Sequence, residues 1–123
     1  MYCFKFLNHS MWSPNNNTLF HQDKWAPKIS GKLIPCKRGY HVLRTRDLSQ
    51  WVYIYPAYDL WLVEVPPKGH VKTSDKMVVR TLKPVRKIKL NRDYYGCIEF
   101  RSWPTTQGGW RKKLSSWGLR AAF

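Results

Sequence analysis

Residues 35–44 of this 123-residue chain, PCKRGYHVLR, put a thiol, an imidazole and three cationic side chains into ten positions. Cys36 and His41 are of the types that ligate zinc. A zinc site needs four such ligands, commonly from Cys pairs about two to four residues apart. Cys3, Cys36 and Cys97 are the three cysteines and none has such a neighbour, so no metal and no cofactor is expected. Isolated cysteines usually serve as small buried hydrophobes. The expectation is a structural Cys36 and an inward-facing His41 hydrogen-bonded to backbone. The sequence also offers no nucleophile beside a base of the kind hydrolysis requires.

The cations make a stronger pattern. Lys and Arg number 22 against seven Asp and Glu, giving a formal charge of +15. Solubility alone asks for a net charge of roughly 2–8 on a small domain. A surface this basic attracts polyanions. Arg80, Lys83, Arg86, Lys87 and Lys89 lie within ten residues, and Arg101, Arg111, Lys112, Lys113 and Arg120 follow. Such cations neutralise phosphates and release counterions, while Tyr94, Tyr95, Trp103 and Trp110 offer faces on which unpaired bases stack. Trp110, Leu114 and Trp117 recur at i, i+4 and i+7, an apolar stripe that suits a partner's groove or the protein's own body.

These groups need a scaffold. Aromatic residues make up 15% of the chain, too much apolar surface for a disordered basic tail. Strand patterns occur at YCFKFL (2–7), GYHVL (39–43), LWLVEV (60–65), MVVRTL (77–82), VRKIKL (85–90) and YYGCIEF (94–100). Thr45 suits a helix cap, with Asp47 in the first turn and Leu48, Trp51 and Val52 at helical spacing, ending near Tyr55-Pro56. SPNNNT (13–18) and PTTQGG (104–109) read as a loop and a linker, with a helix over WRKKLSSW behind the latter. The fold class expected is α+β, a small and mainly antiparallel sheet with one short helix over residues 1–100 and a basic, Trp-rich segment over 101–123.

The succession LIPCKRGYHV, DLSQW, LWLVEVPPKG and SDKMVVRTLKPVRKI resembles an uncharacterised domain family common in bacteriophages and prophages. The positions that carry the resemblance are Cys36, Gly39, Tyr40, His41, Val63, Glu64, Val65, Asp75 and Lys76, within residues 1–90. The resemblance implies a viral origin and no particular activity. The strand order around GYHV and LWLVEV is also similar to small ADP-ribosyltransferase folds, which would give His41 or Tyr40 a nucleotide contact and Glu64 or Glu99 the ribose hydroxyl. Neither Glu has the paired acidic or amide partner of that chemistry, and an ion pair with a nearby Lys or Arg is the simpler role for Glu64.

No apolar stretch approaches the roughly 20 residues of a membrane span, and the first residues lack a secretory signal pattern. The thiols are therefore expected reduced, in a host cytoplasm or within a virion. The reading is a non-enzymatic phage protein that binds nucleic acid or a nucleoprotein through Lys and Arg. A protein-binding effector against host or defence machinery, or a virion component, is the second reading, and a transferase the third.

Overall fold

Strand β1, Tyr2–Leu7, is apolar on both of its faces apart from Lys5, and a strand of that kind has to be covered twice. The computed structural model, which describes residues 1–13, 18–51, 58–88, 104 and 106–119, shows how this is done. β1 pairs antiparallel with β3 (Asp59–Glu64), setting Phe4 opposite Leu62 and Lys5 opposite Trp61. β3 pairs in turn with β6 (Lys83–Ile88), with Arg86 opposite Leu62 and Lys87 opposite Trp61. The order is β1-β3-β6, and a register shift between Leu62 and Val63 kinks the β3–β6 ladder.

A second antiparallel sheet, of order β2-β5-β4, comes from β2 (Tyr40–Val42), β5 (Met77–Val79) and β4 (Val71–Lys72). Its Tyr40, Val42, Met77 and Val79 pack with Cys3, Leu7, Trp61 and Val63 into one buried cluster. On the opposite face of the first sheet, Phe4, Phe6, Leu60, Leu62 and Ile88 gather Leu43, Leu48, Trp110 and Leu114 into another. The β1-β3-β6 sheet is thus a middle layer between two cores. The sheets meet at a corner where Leu43, just past β2, exchanges both backbone hydrogen bonds with Phe4, at 2.8 and 2.7 Å.

The expected α+β class holds, with two three-stranded sheets in place of one. Residues 22–30, broken by Pro27, form no strand but follow the chain between β5 and β6. Asp23, Ala26 and Ile29 donate backbone N–H groups to Pro84, Leu82 and Arg80 at 2.7–2.8 Å. The helical signal after Thr45 becomes a 3-10 turn, Thr45–Asp47, running into the short helix α1, Leu48–Trp51. Its cap is Arg44 and not Thr45. The Asp47 carboxylate reaches back to accept the Arg44 backbone N–H at 2.9 Å, as a capping box does. The strand expected over 94–100, the helix end near Tyr55-Pro56, and Lys89, Arg101 and Arg120 lie outside the described residues.

Helix α2, Gln107–Ser116, begins inside the segment expected to be a linker. Thr106 caps it, accepting the Gly109 N–H at 3.0 Å. Gly109 is required there because a Cβ would lie 2.8 Å from the Pro104 Cβ. Gly118, at φ +75°, closes the other end: its N–H reaches the Ser115 carbonyl and that of Leu119 the Leu114 carbonyl, a Schellman arrangement. Trp110 sits 4.7 Å, centroid to centroid, from the Phe4 ring. This helix therefore completes the second core. Trp110→Ala is expected to cost about 3–5 kcal/mol in urea unfolding. A destabilisation below about 1 kcal/mol would show that α2 contributes little to that core.

Candidate nucleic-acid interface

The middle sheet decides where the cations go. Directly opposed residues share a face, so Arg86 lies on the Phe4/Leu62 side, the side that α2 covers. On α2 the buried Trp110 and Leu114 face the sheet, and Trp117 is half-buried at the rim. The Arg86 guanidinium lies 4.4 Å from the Trp117 ring centroid and the Lys113 Nζ 6.0 Å from it. One indole thus gathers cations from both basic stretches of the sequence, β6 and α2. Arg111 and Lys112 are exposed, since helical spacing turns them away from the stripe, and α2 has no acidic residue. Lys87 is exposed at the sheet's edge, on the Trp61 side.

Two of the expected phosphate ligands have structural duties. Arg80 is half-buried and its Nη1 donates to the carbonyls of Ile29 and Gly31, holding residues 29–31 against the chain between β5 and β6. Lys83 pairs with Glu64 at 3.2 Å, and its Nζ lies 5.4 Å from the centroid of the exposed Trp25 ring. Glu64 therefore has the ion-pair role that its position suggested. Tyr40, which the transferase likeness would set against a nucleotide, donates its hydroxyl to the Pro27 carbonyl at 2.7 Å. The stripe expected to meet a partner is divided. Trp110 and Leu114 are buried inside the protein's own core, because the Phe4/Leu62 face would otherwise be bare, and only Trp117 reaches the rim.

Cys36 and His41 do come together, and His41 has the backbone hydrogen bond expected of it, but neither residue is in the core. Cys36 is exposed at φ +63°, at the turn before β2, and is not a core residue. Its Sγ accepts from the Lys76 Nζ at 3.0 Å, and its backbone N–H donates to the His41 Nε2 at 3.0 Å. His41 stands between the buried Tyr40 and Val42 and projects from the opposite side of β2, so it faces the Cys36 turn and not the core. Burial, with Lys5 and Lys76 beside it, lowers its pKa to about 4. It is neutral at pH 7, accepts at Nε2, and carries its proton on Nδ1. Cys3, by contrast, is buried, and burial pushes its thiol up to about 12.

Sequence reasoning passed over Lys5. It is 4% exposed, donates to the His41 carbonyl at 2.6 Å and lies 5.7 Å from the Phe20 ring centroid. The signal was available: in YCFKFL it is the one charged residue in a strand apolar on both faces. Also unforeseen was the clamp on Arg44. Buried Asp47 receives its Nε at 2.7 Å and Nη2 at 3.1 Å, and the Thr73 carbonyl takes Nη2 at 2.7 Å. The R-x-x-D spacing was the visible trace of it. No family model, curated protein or solved structure matches the chain.

Burial lowers the Lys5 pKa from 10.5 to about 7. Between those values the unfolded chain binds more protons than the folded one, so this group makes stability rise with pH across the window. Below about pH 7 the buried ammonium weighs on the fold in full. Lys5→Met is therefore expected to gain most over the parent at about pH 6, and that advantage to shrink by on the order of 4 kcal/mol by about pH 10. Urea unfolding of both proteins across this range measures it. A difference independent of pH would show that Lys5 does not titrate with folding.

Proposed function

We propose that this protein binds nucleic acid, alone or within a nucleoprotein, through the cationic surface that β6 and α2 share, and that it does so as a phage-type binding protein and not as an enzyme. The observation that carries this reading is the stacking of Arg86 on Trp117 with Lys113 on the same ring, on a helix that also exposes Arg111 and Lys112. Cations separated by some two dozen residues in sequence then act on one polyanion. A formal charge of +15 supplies attraction from a distance, and phosphate binding at this surface supplies affinity through counterion release.

A second reading, a protein-binding effector, draws on a different feature. Trp12, Leu19 and Trp25 are large apolar residues left 39–47% exposed, and Trp12 and Leu19 are joined by an antiparallel β-bridge. An interface there would depend on aromatic anchors and only weakly on salt.

The test is binding of a labelled single-stranded oligonucleotide at several salt concentrations. Arg111→Ala with Lys112→Ala is expected to weaken binding and to reduce the steepness of its salt dependence by about one unit for each phosphate no longer neutralised. Trp12→Ala with Trp25→Ala is expected to leave that slope unchanged. If the double Arg111/Lys112 variant binds with the parent's affinity and slope, the β6–α2 surface is not the site. If the parent itself shows no salt-dependent binding, the nucleic-acid reading fails and the effector reading replaces it.

A further inference from the structure

Away from the Arg86–Trp117 pair, the start of β1, the 3-10 turn, the second sheet and the first residue of α2 enclose an open cavity of about 510 Å³. Its size falls in the range of small-molecule sites, roughly 300–1,000 Å³. Met1, Cys3 and Met77 give it an apolar part, and Arg44, Arg46 and Lys72 give it three cations. The two halves suit a ligand with an anionic end and an apolar or aromatic body.

Arg44 is what makes this cavity a built site. Asp47 and the Thr73 carbonyl hold its Nε and Nη2, so the guanidinium cannot swing. Its Nη1 has no protein acceptor among the described residues. A fixed guanidinium edge loses little freedom when an oxyanion docks on it. Asp47 is fully buried and cancels one of the three positive charges, which leaves Arg46 and Lys72 to match a dianion. Both are exposed, and the Arg46 side chain makes only a long 3.9 Å approach to Asp47, so both can turn toward a ligand.

We infer that this cavity binds a phosphate monoester carrying a nucleoside-sized group, with the phosphate on Arg44, Arg46 and Lys72 and the organic body against Met1, Cys3 and Met77. The same chemistry is offered by a free mononucleotide and by the 5′-phosphorylated end of a strand. The cavity meets α2 only at Gln107, and the inference stands whether or not the β6–α2 surface binds nucleic acid.

The three methionines supply the assay. Met1 and Met77 line the cavity and Met11 does not. With methyl-labelled methionine in the full chain, AMP is expected to shift the Met1 and Met77 signals saturably below about 1 mM and to leave Met11 in place. Adenosine is expected to bind at least about tenfold more weakly. Arg46→Ala with Lys72→Ala should weaken AMP by a similar factor, and Arg86→Ala with Lys113→Ala should not change it. Comparing a 5′-phosphorylated trinucleotide with its 5′-hydroxyl form then identifies the source. A phosphate-dependent shift of the same two methyls assigns the cavity to strand ends, and its absence assigns it to free nucleotides. The inference is overturned if AMP moves neither methyl, if it binds while only other signals move, or if the Arg46/Lys72 variant responds like the parent.

Discussion

The burial of the β1-β3-β6 sheet on both faces is the constraint from which the rest of the architecture follows. A three-stranded sheet whose central strand buries a continuous apolar run, Leu60 to Val63, cannot leave either side in water. The second sheet covers one side and α2 the other, which makes the basic helix a structural layer. The cations of α2 are consequently held at fixed places relative to β6. The strain of this arrangement falls on Lys5, whose position in β1 forces an amine into the inter-sheet core, where the His41 carbonyl receives it.

The few acidic residues are disposed to match. Asp47 is buried under Arg44, Glu64 meets Lys83, and Asp75 accepts from Thr73 in the turn before β5. Each of these acts on a near neighbour, and none lies on α2. The helix and the outer half of β6 thus carry Arg86, Lys87, Arg111, Lys112 and Lys113 with no acidic residue in either element. The Arg44 clamp is the opposite case: there a carboxylate immobilises a cation.

Much of this was legible in the sequence. Apolar strand patterns located β1, β3, β5 and β6, and the i, i+4, i+7 stripe located the face of α2. The start of α2 was missed because two glycines read as a linker, whereas Thr106 and the close approach of Pro104 make them tolerable in a first turn. Cys36, His41 and Lys76 stood apart in sequence. Only the pairing of β2 with β5 puts Cys36 beside Lys76 and explains why His41 faces away from the core. Arg80 and Lys83 were indistinguishable by residue type and spacing from Arg86 and Lys87. Which cations were committed to carbonyls and carboxylates depended on residues 29–31 and on Glu64, far away in the chain, and no local pattern encodes that.

The path of residues 22–30 has a bearing on the edge of the middle sheet. An open strand edge invites another chain to pair with it. Here the carbonyls of Arg80, Leu82 and Pro84 are already taken by Ile29, Ala26 and Asp23, and Pro84 has no N–H to offer. Beyond that point β6, an outermost strand of the sheet among the described residues, carries Arg86 and Lys87, charges that disfavour pairing with the same strand of a second molecule. The irregular loop thus acts as a selvedge on the sheet, occupying backbone acceptors that a strand from another copy would need.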